Sequence, residues 1–196
     1  MIRKRYIETP RLVLRDWFDD DVEVWSAMSA DPRVMEFFPS THDRAQSETS
    51  AAVTRARLES DGYGWWAVEV KGGAPFAGVI ALQMVPAEMP FAPAMEVGWR
   101  LAFEVWGRGF ATEGALGALG FGFERLECDE IVALTAAINL RSQRVMEKLG
   151  MMRDSADDFE HPKLPAAHRL RRHVLYRLRR DAFFARRLGA ADYTVL

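Results

Sequence analysis

Apolar and charged residues alternate at period two over residues 11–15 (RLVLR), directly after Pro10, and predict a first strand. The period then changes. Residues 19–29 carry Val22, Trp25 and Met28 on one helical face, and residues 45–58 carry Ala52, Val53, Ala56 and Leu58 among polar neighbours; SDGYG ends that second helix. Three strand-like runs follow at 65–71 (WWAVEVK), 76–85 (FAGVIALQMV) and 95–101 (MEVGWRL). A GGAP turn and a loop spaced by Pro86, Pro90 and Pro93 separate them, which predicts an antiparallel meander. Residues 105–123 supply a helix, 130–136 (EIVALTA) a strand, and 139–150 a short helix capped by Asn139 and stopped by Gly150. Strand, helix, strand, helix implies a parallel pair. After a long loop at 157–169, Val174, Tyr176 and Leu178 alternate with His173, Leu175, Arg177 and Arg179 in a last strand, followed by a short helix.

With 196 residues, 49% hydrophobic composition and no internal repeat or linker-like tract, the whole chain, 1–196, is expected to form one α/β (mixed α+β) domain. A net charge of -2 gives no global pull toward nucleic acid or an anionic membrane. The lone Cys128 makes no internal disulfide, and the N-terminus lacks the apolar core of a signal peptide, so a cytoplasmic setting is expected. The most apolar run, 114–123, falls well short of the ~20 residues that span a bilayer.

That run is unusual for its glycines, since each glycine inside a helix costs roughly 1 kcal/mol relative to alanine. Two explanations divide the segment. At its entrance, Gly107, Gly109 and Ala111 with Arg108 suit either a plain turn or a backbone cradle for phosphate at a helix N-terminus. Further in, Gly114, Gly117, Gly120 and Gly122 lie off the apolar stripe of Leu116, Leu119, Phe123 and Leu126 and point to close packing, with Glu113 and Glu124 as helix-surface charges. Two common nucleotide loops fit poorly: no P-loop lysine follows, and a dinucleotide fingerprint would need Gly or Ala at Thr112 and an acid after the second strand, where TAA stands.

The runs MEVGWRL, VWGRGFATEGALGAL and AAINLRSQRVMEKLGM, in that order, resemble the acetyl-coenzyme A (acetyl-CoA) motifs of the GNAT N-acetyltransferase superfamily. The opening ETPRLVLRDW, the W-G-x-G-F-A-T-E run and the N-x-x-S block resemble its RimJ/RimL-like branch, the ribosomal-protein-alanine N-acetyltransferase-like enzymes. Trp106 stands where the superfamily's phosphate motif usually has Gln or Arg, while Gly109 and Ala111 match its later positions. The resemblance implies a central, mostly antiparallel sheet flanked by helices, with strands 97–100 and 131–135 splayed around the pantetheine arm. It implies coenzyme contacts from Val97, Gly98 and Trp99, from Gly107, Arg108, Gly109, Phe110, Ala111 and Thr112, and from Asn139, Ser142 and Arg144. The expected partners are acetyl-CoA and an amine acceptor, a ribosomal protein among the candidates, with a homodimer admitted; no metal, membrane or nucleic acid is expected.

Acetyl transfer to an amine needs a neutral amine, a stabilised oxyanion and a proton for the departing thiolate. An α-amine with a pKa of about 7.7 to 8.0 is partly neutral near pH 7.4, whereas a lysine at about 10.4 is not. Glu96, on the strand that the resemblance sets beside the thioester, is the candidate base; the alternative is a strand carboxylate paired with an arginine or facing solvent. Backbone N–H groups near Gly98 and Trp99 would polarise the carbonyl. Asn139 and Ser142 share one helix face, where Ser142 is the candidate donor to the thiolate and Tyr176 the runner-up, although Asn139 also suits a plain N-cap. Arg141, Arg144 and Lys148 suit phosphates or a solvated face. Phe37, Phe38 and His161 are candidates for the acceptor pocket.

Other constellations are weaker. His161, His168 and His173 lack metal-ligand spacing, and Cys128 has no activating neighbour. The arginine-rich residues 168–180 suit RNA steering or one charged strand face. The functional alternatives are a non-catalytic acyl-CoA-binding module and an RNA- or ribosome-associated protein.

Overall fold

The structure, a computed structural model, describes residues 4–186 and 193–196. Among these residues five α-helices cover a ten-stranded mixed sheet. The elements are β1 (Arg5–Glu8), β2 (Leu12–Arg15), α1 (Asp21–Ala30), α2 (Arg44–Asp61), β3 (Trp65–Val70), β4 (Gly78–Met84), β5 (Met95–Leu101), α3 (Phe110–Glu124), β6 (Glu130–Ala136), α4 (Leu140–Lys148), β7 (Met152–Arg153), β8 (Phe159–Glu160), β9 (Arg172–Arg179), α5 (Arg180–Arg186) and β10 (Thr194–Val195). Strand order is β10-β1-β2-β3-β4-β5-β6-β9-β7, with β8 also on β9.

The expected meander is present as β3, β4 and β5, and the expected parallel pair is β5 with β6; every other pairing is antiparallel. Only Met95↔Ile131 and Glu96↔Val132 are paired in that parallel contact. Beyond them β5 stays on β4 as far as Gly78↔Leu101, and β6 stays on β9 as far as Ala136↔His173. The two strands therefore part after Glu96, and residues 97–100 have no ladder partner on their β6 side.

Helix α2 is delimited by local chemistry: the Asp43 carboxylate accepts from the Gln46 N–H at 2.8 Å, the Gln46 side chain accepts from the Asp43 N–H at 2.9 Å, and Gly62 ends the helix in the left-handed region. Helix α3 lies on the opposite face of the sheet and presents its glycines to it. A Cβ at Gly114 would come within 2.1 Å of Ile80 Cδ1, and one at Gly122 within 2.5 Å of Ile131 Cδ1. Leu119 and Phe123 are buried as expected, Leu116 and Leu126 only partly so.

One charge on α3 departs from expectation. Glu113 is no surface charge: its carboxylate accepts from Thr9 Oγ1 at 2.6 Å, Arg11 N–H at 2.8 Å and Arg11 Nε at 2.6 Å, which fastens the β1–β2 turn to the start of the helix. Strand β1, ahead of the expected first strand, also went unpredicted. Arginines of β9 and of the residue before it are paired with carboxylates: Arg177 with Glu130 and Asp157, Arg171 with Glu160, Arg172 with Asp158 and Glu160. This pattern is a charged strand face, with little free cation to meet a phosphate backbone. No helix among the described residues is long and apolar enough to cross a membrane, and no metal-holding cluster of His, Cys, Asp or Glu occurs among them.

Candidate active site

Side chains alternate across a strand, so the α3 contacts of Ile80 and Leu82 sort the faces of β4 and β5. Their partners Trp99 and Val97 share the α3 face; Gln83↔Glu96, Ala81↔Gly98 and Val79↔Arg100 lie on the face covered by α1 and α2. Glu96 thus projects away from α3 at the last residue before β5 and β6 separate.

Glu96 forms no ion pair with an arginine. Its Oε2 accepts from Gln83 Nε2 at 3.2 Å, and Gln83 Oε1 accepts from the Trp65 indole N–H at 2.7 Å, so the indole orients the amide and its N–H is left for the carboxyl. Burial pushes the Glu96 carboxyl up to about 7, against the opposing pull of the Gln83 hydrogen bond. A carboxylate with that pKa exchanges protons in the neutral range where a general base is most effective. Two residues on, a Cβ at Gly98 would meet nothing within 4 Å, so the sheet floor opens there into free space.

At the helix entrance, Gly107 and Gly109 hold φ of +74° and +82°, values that favour glycine, and the exposed turn reverses into α3. Gly109 is the N-cap and has no side chain to bond the first helical N–H groups, which are left facing out with the partial positive end of the helix. Arg11 Nη1 donates to the Arg108 carbonyl at 2.9 Å, and both guanidinium groups lie against the Phe110 ring, 4.7 and 4.8 Å from its centre. The turn is backbone-built, flanked by cations and braced from the first hairpin.

Helix α4 begins as predicted. Asn139 Oδ1 accepts from the Ser142 N–H at 3.3 Å, while Asn139 Nδ2 donates to Thr135 Oγ1 at 2.9 Å and to Ser142 Oγ at 3.1 Å. Asn139 is therefore an N-cap and also the donor to the Ser142 oxygen, which leaves the serine proton to point elsewhere. Tyr176 is on the α4 side of β9, its hydroxyl donating to Glu147 at 3.3 Å; burial and the Glu147 charge raise its pKa, making it a weaker acid than an ordinary tyrosine. Arg144 is exposed on α4.

The acceptor candidates separate. Phe38 stacks on Arg100, with 4.2 Å from guanidinium to ring centre, whereas Phe37 packs toward Ala136, Leu164 and Leu170. His161 stands 4.9 Å from the His173 ring, and burial lowers its pKa. The segment after α1 is tied across the splay to α4 by Glu36 and Arg141, 3.1 Å apart. A groove of about 440 Å³ opens there, lined by Pro32, Arg33, Glu36, Phe103 and Arg141; Glu96 is not among its walls. Sequence reasoning missed Gln83, Trp65, Arg100, Arg11 and the role of Glu113. The period-two alternation of β5 holds a usable signal for Arg100, since it puts Glu96, Gly98 and Arg100 on one face.

The family model described as Acetyltransferase (GNAT) domain matches residues 11–152. The uncharacterized protein YkkB of Bacillus subtilis (strain 168) is 30% identical over 152 residues, which span 77% of this chain and 87% of that protein. An acetyltransferase (GNAT family) from Bacillus anthracis superposes with a TM-score of 0.75 at 22% identity, covering 90% of this chain and 99% of the other. Spermidine N-acetyltransferase from Vibrio cholerae, in complex with CoA and spermine, superposes with a TM-score of 0.70 at 16% identity over 88% of this chain and 98% of its own. With its splayed parallel pair, mostly antiparallel sheet and glycine turn into α3, the chain belongs to the GNAT acetyltransferase family and is an acetyltransferase.

Proposed function

We propose that this acetyltransferase carries an acetyl group from acetyl-CoA directly to a primary amine, either a protein N-terminal α-amine or a small-molecule amine. The observation that carries the reading is Glu96: a carboxyl held near neutrality by burial, without an arginine partner, at the point where β5 leaves β6. The pyrophosphate of the coenzyme is assigned to the N–H groups of residues 107–112, with Arg108 alongside, and the pantetheine arm to the gap beside Val97, Gly98 and Trp99, whose unpaired backbone edge supplies hydrogen bonds. Arg144 is assigned to phosphate contact from the exposed face of α4.

In the transfer, the Glu96 carboxylate accepts the proton of the attacking ammonium, directly or through water, so that the nitrogen lone pair bonds to the thioester carbon. A backbone N–H near Gly98 or Trp99 meets the oxygen on which charge develops. The carbon–sulfur bond then breaks as the nitrogen of the intermediate sheds its remaining surplus proton, which Ser142, its oxygen engaged by Asn139, relays to the departing thiolate. Tyr176 is the less favoured donor because its hydroxyl is engaged by Glu147. Phe38, Phe37 and His161 are assigned to the acceptor side.

The test is acceptor-dependent thiol release from acetyl-CoA across N-terminal peptides, lysine peptides, amino acids, polyamines and aminoglycosides. Release with at least one class, accompanied by the acetylated amine in mass spectra, is expected. Tight coenzyme binding with no release from any acceptor would overturn the reading in favour of a non-catalytic binding module.

A further inference from the structure

Among the described residues, two arginines are withdrawn from solvent on the α1 and α2 side of the sheet, and they are treated differently. Arg15, 2% exposed, is fully engaged: Asp21 accepts from Nη1 and Nη2 at 2.8 and 3.1 Å, Glu69 from Nε at 2.9 Å, and the Asp16 and Pro75 carbonyls accept as well. Arg100 has none of this. Its Nε and Nη1 are buried without a hydrogen-bond partner, and its guanidinium lies 4.7 Å from the Trp25 ring centre and 4.2 Å from that of Phe38. Aromatic faces hold a cation in place but accept none of its N–H bonds. Burial lowers the pKa of Arg100 to about 10, so the group is still charged at neutral pH. A planar fork of donors, oriented by two rings and left unpaired, is built to receive a carboxylate or a similar anion.

Its position says what would bring that anion. Arg100 shares its sheet face with Glu96, four residues away, or about 13 Å between Cα atoms along a strand. Between them lies Gly98, above which the space is open. The two opposite charges do not pair with each other, and Gly98 with its open space stands midway between them on the same face. Further buried side-chain atoms without partners, on Ser26, Ser29 and His42, come from α1 and the segment after it, the elements that supply Trp25 and Phe38.

Resting on the acetyl-transfer reading, we propose that Arg100 anchors an anionic group of the acceptor, so that the amine acetylated here belongs to a molecule carrying a carboxylate several bonds from the nitrogen. The spacing excludes the amine and carboxylate of a simple α-amino acid, which are separated by one carbon. It suits an ω-amino acid or an N-terminal peptide whose second residue is acidic.

The experiment compares matched acceptors in the thiol-release assay: 5-aminopentanoate against pentylamine, and tripeptides with aspartate against asparagine in second place. The wild type is expected to favour the anionic member of at least one pair by tenfold or more in kcat/KM, and the responding pair identifies the source of the anion. In R100Q that ratio falls to within twofold, while R100K recovers part of it. No preference in either wild-type pair, or a ratio that survives R100Q, overturns the proposal. Should R100Q fail to fold, wild-type inhibition decides: pentanoate, and not 1-pentanol, is expected to compete with the acceptor, and absence of that competition overturns the proposal. Thiol release from no acceptor overturns the acetyl-transfer reading instead. Arg100 is then judged by calorimetric binding of 5-aminopentanoate, expected in the wild type and lost in R100Q.

Discussion

Glu96 is the residue at which sequence position, burial and chemistry meet, and its raised pKa makes opposite demands on stability and rate. The folded state holds this proton more tightly than the unfolded chain, whose carboxyl titrates near 4.5. The stability contributed by the group is therefore full below pH 4.5 and is lost as pH rises to about 7. Above that, the ionised carboxylate is carried at a cost of about 1–3 kcal/mol, allowing for partial solvent contact. Glu96→Gln should raise the melting temperature of the protein at pH 8 and leave it nearly unchanged at pH 4.5. Rate behaves in the reverse sense: wild-type kcat/KM should climb with a midpoint near pH 7, because only the carboxylate accepts a proton. The substitution should remove that limb and lower activity by about 10²- to 10⁴-fold. A pH–rate profile with the limb intact in Glu96→Gln would take the base role away from this residue.

The elements show how two kinds of glycine differ. On α3 the glycines permit contact: a Cβ at Gly114 would overlap Ile80, which is fully buried and has no room to retreat. On β5, Gly98 borders empty space. Gly114→Ala should destabilise the protein by about 1–3 kcal/mol through overpacking, measured by denaturant titration. Gly98→Ala should leave the unfolding midpoint nearly unchanged, yet lower kcat/KM because its methyl group enters the cleft between Glu96 and Arg100. Equal loss of stability in both would contradict the difference. Much of this architecture was legible in the sequence, because β3 (WWAVEV) is dense in aromatic and β-branched residues, β6 carries Ile131, Val132 and Thr135, and α4 has a clear cap in Asn139 and a clear stop in Gly150. The short β1 and β10 were not legible: RYIE carries too few alternations to register, and two residues carry none. Of the candidate site, what local chemistry specifies was legible: the glycine turn at Gly107 and Gly109 and the Asn139 cap on the Ser142 N–H. Arg100 and Glu113 escaped because an arginine or glutamate beside apolar residues looks like a surface charge until the tertiary partners, or their absence, are seen.

At the scale of the whole molecule, the sheet separates α3 and α4, on the side proposed for the coenzyme, from α1 and α2, on the side proposed for the acceptor, with the gap between β5 and β6 between them. The turn entering α3 must hold its shape for the coenzyme side to work, and its support comes from about a hundred residues earlier in the chain. Glu113 gathers Thr9 and Arg11, and Arg11 reaches on to the Arg108 carbonyl. Glu113→Gln replaces one carboxylate oxygen by an N–H that faces the Arg11 donors, so the brace loses both charge and an acceptor. The expected cost is about 1–2 kcal/mol of stability. Loosening the turn should also raise the coenzyme Kd by up to about tenfold, or ~1.4 kcal/mol. The two effects separate in one titration of melting temperature against CoA. Ligand present at 100 times Kd stabilises a protein by about 2.7 kcal/mol, so at a fixed coenzyme concentration the increment should shrink in Glu113→Gln by the amount that Kd has risen. Arg108→Ala gives the contrast: it removes one exposed charge and leaves the brace, so it should weaken binding mainly at low salt with little change in the unliganded melting temperature. An increment that stays equal to wild type in Glu113→Gln, on a lowered baseline, would confine the brace to holding the fold and detach it from the coenzyme turn.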